Sequence, residues 1–198
     1  LRLGLPMGVS SFIEITAFTL VALFVAPLGA VAVAGHRIIA NVSTLTYMLP
    51  LSLGIATLAA VGKARGARDG AGARAALVAG LSISLFLSVI VALALWLGGE
   101  AMIALYTDDL LVRKVAVGLL IYIVIYQFFD ALQTIAAHVL RAYRVTLVPM
   151  LIQMFSFWGV GLGLGWWLCY HGSPVMGVEG FWWAAAVCIV MLAALLGA

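Results

Sequence analysis

Six stretches of mostly apolar residues, at about 3–28, 40–61, 75–97, 114–137, 147–170 and 178–197, constrain any fold this chain can adopt. Each is long enough to cross a hydrocarbon core about 30 Å thick as a helix, which needs about 20 apolar residues. A soluble alternative fails on surface. Of the 198 residues 66% are hydrophobic and 9% charged, whereas a soluble domain is about half apolar and about a quarter charged. A domain of this size still exposes about a third of its unfolded-chain surface, and the polar residues here are too few to cover it. The solvent that fits is a lipid bilayer. The segments lack the length and alternation of barrel strands, so the expected fold is all-α, an integral bundle of six transmembrane helices. The chain opens at Leu1 and closes on MLAALLGA with no cleavable leader pattern, and both ends read as cuts in a longer protein.

The basic residues orient the bundle. With the N-terminus on the cytoplasmic side, Arg2, Lys63, Arg65, Arg68, Arg74, Arg141 and Arg144 lie inside, and Arg37, Arg113 and Lys114 outside. Seven against three is the positive-inside bias. It accounts for the net charge of +3 without a nucleic-acid partner. The segment VGKARGARDGAGARAA, 61–76, has Ala64 after Lys63 and no GxxxxGK[ST], so it reads as an inner turn rather than an ATP site. GVGLGLG, 159–165, fails GxGxxG; Gly159 with Gly163, and Gly161 with Gly165, instead form small faces for close helix packing. Trp96, Tyr106, Trp166, Trp167, Tyr170, Trp182 and Trp183 read as interfacial belts. Pro50, inside the second span, is expected to kink that helix and free a carbonyl. Cys169 and Cys188 form no CxxC or metal spacing and read as packing residues.

Five of the seven acids sit in loops or at interfaces; Glu14 and Asp130 do not. Glu14 follows Arg2 by twelve residues, and Asp130 precedes Arg141 by eleven. At 1.5 Å per residue both lie roughly 16–18 Å from the inner charged edge, near the midplane of the core. A carboxylate there costs about 2.5–3.5 kcal/mol on insertion scales. With no Lys or Arg in any expected span to pair with, each acid is protonated, hydrated, or holding a cation. In IYIVIYQFFDALQTIAAH, Tyr122, Tyr126, Asp130 and Gln133 recur along one helical face, with Gln127 and Thr134 at its margins. Asn41, Ser43, Thr44 and Thr46 open the second span; Ser11 and Thr16 flank Glu14. Two acids at one depth among polar stripes favour an ion or substrate pathway over a purely structural network.

Enzyme readings have little to stand on. Asp130 sits in FFDAL with no GxGD, and no serine sits in GxSxG. His36, assigned to a loop, His138, near an inner helix end, and His171 are far apart with no HExxH, so no transition-metal site is expected.

Three segments carry a family resemblance: LRLGLPMGVSSFIEITAFTLVALFVAPLG, VAGHRIIANVSTLTYMLPLSLGIATLAAVGKARGARD and YQFFDALQTIAAHVLRAYR. In order, they resemble the second half of the multidrug and toxic compound extrusion (MATE) transporters, particularly the NorM-like branch. FIEIT, the Asn41–Gly54 stretch and YQxxDAxQ are the most specific parts. The resemblance implies a twelve-helix, two-lobed antiporter of the bacterial inner membrane that exports cationic or amphiphilic drugs against Na⁺ or H⁺, with no further cofactor. This chain corresponds to the C-terminal lobe, and the N-terminal lobe is its missing partner. By the same resemblance Glu14 and Asp130 bind the coupling cation, and Tyr126 matches the tyrosine one turn before the aspartate. A central cleft needs both lobes, so transport by the half-chain alone is not expected unless it dimerises. The alternative is a non-transporting membrane scaffold or lipid-flippase-like module whose buried acids stay neutral. Flippases of the broader superfamily tend to meet phosphates with cationic residues, whereas the embedded charges here are acidic.

Overall fold

The computed structural model describes residues 4–172 and 174–197. Among these, six helices are long and apolar enough to cross a membrane: α1 Gly4–Leu28, α2 Ala30–Gly66, α3 Gly70–Ala104, α4 Leu110–Ala142, α5 Leu147–Tyr170 and α6 Val178–Gly197. There is no strand among the described residues. Arg2, expected to mark the inner end of the first span, lies outside them.

The helices outrun the apolar segments. At 1.5 Å per residue the 37 residues of α2 span about 55 Å, well beyond a hydrocarbon core of about 30 Å. Hydropathy marks only the part of a helix that sits in lipid. The charged ends are rich in Ala, Leu, Lys and Arg, good helix formers, so they stay helical in the headgroup region. Two sequence expectations change as a result. The single residue Gly29, at φ 98°, turns the chain from α1 into α2, so His36 and Arg37 are helical rather than in a loop. The connection expected over 61–76 shrinks to residues 67–69 between α2 and α3.

Two of the short turns share one geometry. Past α2, Arg68 N–H donates to the Arg65 carbonyl and Asp69 N–H to the Ala64 carbonyl; past α4, Arg144 and Val145 do the same to Arg141 and Leu140. Such a terminus puts one residue in the left-handed region, usually glycine, yet here Arg68 (φ 57°) and Arg144 (φ 61°) occupy it. An L side chain there costs about 1–2 kcal/mol. Arg144→Gly is therefore expected to stabilise the protein by about 1 kcal/mol, read as a higher melting temperature in detergent. The N-termini of α3 and α4 are capped conventionally: Asp69 Oδ1 accepts from Gly72 N–H and Asp109 Oδ1 from Leu111 N–H, both at 2.8 Å.

α4 is the hub, packed against α2, α3 and α6, whereas α1 leans mainly on α5. Small residues let the helices approach. Gly35 of α2 faces Val115 of α4, Gly80 of α3 faces Thr57 of α2, and Gly99 of α3 faces Leu120 of α4. Between α5 and α6, Gly165 abuts the Phe181 ring and Gly180 abuts the backbone of Leu168 and Cys169. Ile39, Leu119, Ile123 and Phe181 fill one end of the core, and Ile13, Tyr126, Ile189 and Leu192 the other. Cys169 and Cys188 are buried free thiols. Phe12, Leu23, Phe86 and Leu97 point outward, as lipid-facing residues do. Trp96, Trp166, Trp167 and Trp183 are exposed as a belt requires, but Trp182 is buried and packs on His36 with ring centroids 5.7 Å apart.

α5 is irregular. Phe155–Leu164 winds as a π-helix, with i→i+5 hydrogen bonds. The two i, i+4 glycine pairs expected from the sequence each keep a common side, but only one of them packs against another helix. Gly161 and Gly165 both look toward α6, while a side chain at Gly159 or Gly163 would meet only its own helix. Pro50 lies buried within α2. Its ring removes the N–H that would bond the Thr46 carbonyl, and Gln127 Nε2 of α4 approaches that carbonyl at 3.4 Å. The carbonyl freed by the proline thus has a neighbour to bond.

Candidate functional site

Glu14 lies on α1 beside the buried Ile13, itself half-buried. It opens into a cavity of about 80 Å³ whose walls come from four helices. α1 gives Ser11 and Glu14; α2 gives Tyr47 and Leu51; α5 gives Gln153, just before its π segment. α4 gives Gln133, Thr134, Ala137, His138 and Arg141. Those α4 residues recur at three- and four-residue steps, so they share one face of a regular helix. The volume suffices for a few water molecules or a small, partly hydrated cation. A larger hollow of about 360 Å³ lies between α3 and α4, lined by residues such as Val89, Leu93, Trp96 and Phe128. It is apolar and holds neither acid.

Asp130 sits on the same helix as this polar face and is 1% exposed. Gln133 Nε2 donates to its Oδ1 at 2.9 Å and to Thr134 Oγ1 at 3.1 Å. Asp130 Oδ2, Gln133 Oε1, Gln153 Oε1 and Ser156 Oγ are buried without a hydrogen-bond partner. Buried polar atoms are nearly always paired, so the unpartnered oxygens of Gln133 and Gln153 on the cavity wall, with Asp130 Oδ2 on the residue bonded to Gln133, leave hydrogen-bonding capacity to spare there. Carboxylate, amide and hydroxyl oxygens suit a hard cation or a proton rather than a thiophilic metal. Among the described residues no three His, Cys, Asp or Glu side chains converge into a metal cluster.

The cavity amends two sequence expectations. Arg141, taken as an inner boundary marker, lines the same cavity as Glu14, so a cation is at hand for that acid. An arginine stem is long enough to return its head into the helix bundle from a helix end. The cavity also extends from Gln133 towards Arg141, away from Asp130 along α4, so the two carboxylates do not share its wall. They remain near enough to feel each other's charge.

The remaining expected residues scatter. Tyr126 is buried one turn before Asp130, against Ile13, Phe157 and Cys188. Gln127 serves the Thr46 carbonyl. Tyr122, two turns from Asp130, faces Glu179. Ser43 is buried in α2. Thr44 is exposed and bonds back to the Ala40 carbonyl at 2.9 Å. Asn41 is exposed and accepts from Tyr106 Oη–H at 2.9 Å. Thr16 bonds back to the Phe12 carbonyl of its own helix at 2.6 Å. Sequence reasoning passed over Tyr47, which faces both Glu14 and Thr134. A tyrosine in mid-span, away from either belt, needs a partner for its hydroxyl, and that was the available signal. His138 was placed at an interface, yet it is 5% exposed and its Nδ1–H donates to the Thr134 carbonyl at 2.8 Å. It lies four residues beyond Thr134 on the polar stripe already visible in α4.

A multi-pass helical membrane protein with acids set inside its bundle is a transporter architecture, and the comparisons agree. The family whose model matches residues 6–167 is MatE; the chain belongs to this family, whose members are transporters rather than enzymes. It is 50% identical over 202 residues to a probable multidrug resistance protein NorM of Aromatoleum aromaticum, covering 100% of this chain and 43% of that protein. With the multidrug resistance protein NorM of Vibrio vulnificus it is 39% identical over 198 residues, covering 99% of this chain and 43% of that one. The fold matches a MOP superfamily transporter from Pyrococcus furiosus with a TM-score of 0.89 at 20% identity, over 99% of this chain and 43% of that chain. The chain therefore spans less than half the length of the curated relatives it matches.

Proposed function

We propose that this chain is the C-terminal lobe of a cation-coupled multidrug efflux antiporter that works by alternating access in a bacterial inner membrane, its N-terminus on the cytoplasmic side. One observation carries the reading: two carboxylates lie inside the bundle amid oxygens that have no partner in the protein. Loading Glu14 and Asp130 with Na⁺ or H⁺ removes the negative charge that holds a cationic drug, so cation entry and drug exit oppose each other. Exchange of this kind requires each ligand to favour a different conformation. The drug-like substrate class is supported by the names of the relatives. Na⁺ and H⁺ both suit carboxylate and amide oxygens.

The test is Glu14→Gln in the protein expressed from its complete coding sequence. Efflux of a fluorescent cation such as ethidium is followed in membrane vesicles under imposed Na⁺ or pH gradients. Gradient-driven efflux is expected to fall to background while the amount of protein in the membrane is unchanged. Efflux that keeps its full gradient dependence in this variant would overturn the reading.

A further inference from the structure

We propose that Arg141 is a tethered counter-cation for Glu14, holding the carboxylate when the transported cation has left and being displaced when that cation loads. This rests on the cation-site reading above and adds a competitor that the site carries within itself.

Three observations support the assignment. Arg141 and Glu14 line the same small cavity, from α4 and α1. Arg141 is also free of the usual task of a last-turn arginine, the bonding of the final helix carbonyls. Arg65 from α2 does that instead: its Nη1 donates to the Ala142 carbonyl at 3.1 Å, and its guanidinium lies 4.3 Å from the centre of the Tyr143 ring. Finally, Arg141 is half-buried near a helix end, where a long side chain reaches either inward or out to the headgroups.

Charge accounting gives the consequence. A guanidinium keeps its proton and has only donors. With Arg141 turned in, the cavity holds one negative and one positive side chain and tolerates the absence of an ion. With a cation on Glu14, the same arginine is repelled and has water to turn to. The other groups facing the acid are Tyr47 from α2, His138 from α4 and the uncharged Gln153 from α5, with Asp130 further along α4. None of them carries a fixed positive charge. Among the described residues that line the cavity, only Arg141 competes as a permanent cation.

The experiment measures binding of ²²Na⁺, and separately of protons by electrode titration, to the purified protein from the complete coding sequence. The variants are Arg141→Gln, Arg141→Lys and Glu14→Gln. Removing the competing guanidinium from a partly wet site is expected to tighten binding of the coupling cation about tenfold. Arg141→Lys is expected to stay within about threefold of the parent, because the charge is retained. Arg141→Cys gives a second test, since a positively charged methanethiosulfonate should weaken binding again where a neutral one does not. Unchanged or weaker binding in Arg141→Gln, with binding still lost in Glu14→Gln, overturns the inference and leaves the cation site standing. Binding that survives Glu14→Gln takes both down.

Discussion

Asp130→Asn is expected to abolish cation-driven efflux while leaving the bundle folded. The substitution keeps the shape of the side chain and an oxygen that accepts from Gln133 Nε2, now 2.9 Å from Asp130 Oδ1. It replaces the orphaned Oδ2 with an amide donor, which Gln133 Oε1 is placed to accept. A buried carboxylate is costly in a membrane interior, so the neutral isostere is expected to melt at the same temperature as the parent or higher. Transport behaves oppositely. A charge-assisted contact of about 1.5–3 kcal/mol corresponds to roughly 10–150-fold in cation affinity, so coupling should vanish at working ion concentrations. Vesicle efflux and a detergent melting curve on the same preparation separate the two effects. A variant that unfolds would make Asp130 structural; one that folds and still couples would remove it from the ion site.

The same contrast separates the two acids. Glu14 is half-buried and shares its cavity with Arg141, whereas Asp130 is 1% exposed and has only neutral hydrogen-bonding neighbours on its own helix. Neutralising Glu14 strands a positive charge that can turn to water. Neutralising Asp130 strands nothing. The two positions thus differ in surroundings: Glu14 shares its cavity with a cationic side chain, and Asp130 is bonded by the neutral Gln133.

The fold was legible because lipid imposes one rule on every residue: a spanning segment must be apolar and helical. The six segments could be read directly from the chain, but their helical ends could not, because Arg37 and Lys63 end a hydropathy window without ending a helix. The π segment of α5 left no trace in hydropathy, although three alternating glycines, Gly159, Gly161 and Gly163, already weakened the regular helix there. The site was half legible. Glu14, Asp130 and Gln133 stood out since charged and amide groups are rare in such a chain. His138 and Arg141 did not, because histidine and arginine near span ends have an ordinary interfacial explanation, and Tyr47 was passed over although it lies in mid-span. Only the convergence of α1, α2, α4 and α5 on one cavity shows which of these side chains meet. Asn41 illustrates the converse: it heads the polar stripe NVST in sequence, yet its partner is Tyr106, at the other end of α3 from the Asp69 cap.

Gly180→Leu is expected to be the most damaging substitution away from the acids. A side chain at Gly180 would meet the backbone nitrogen of Cys169 and carbonyl carbon of Leu168 at about 3 Å, and backbone cannot rotate aside as a side chain can. α5 and α6 would have to separate, opening the contacts of Phe181 with Gly165 and its stacking on Phe24, 6.2 Å between centroids. Overpacking a core costs about 1–3 kcal/mol when neighbours can repack. Here they cannot, and in lipid there is no hydrophobic gain to pull parted helices back together. A loss of about 3 kcal/mol or more is expected, visible as depletion from the membrane fraction and a lower melting temperature. Gly163→Leu is the control. Gly163 is exposed and faces only its own helix within reach of an added carbon, so the same leucine should shift stability by no more than about 0.5 kcal/mol. Comparable damage at Gly163 would mean that its glycine serves the π winding of α5; damage at Gly180 alone places the constraint in the closeness of the two helices.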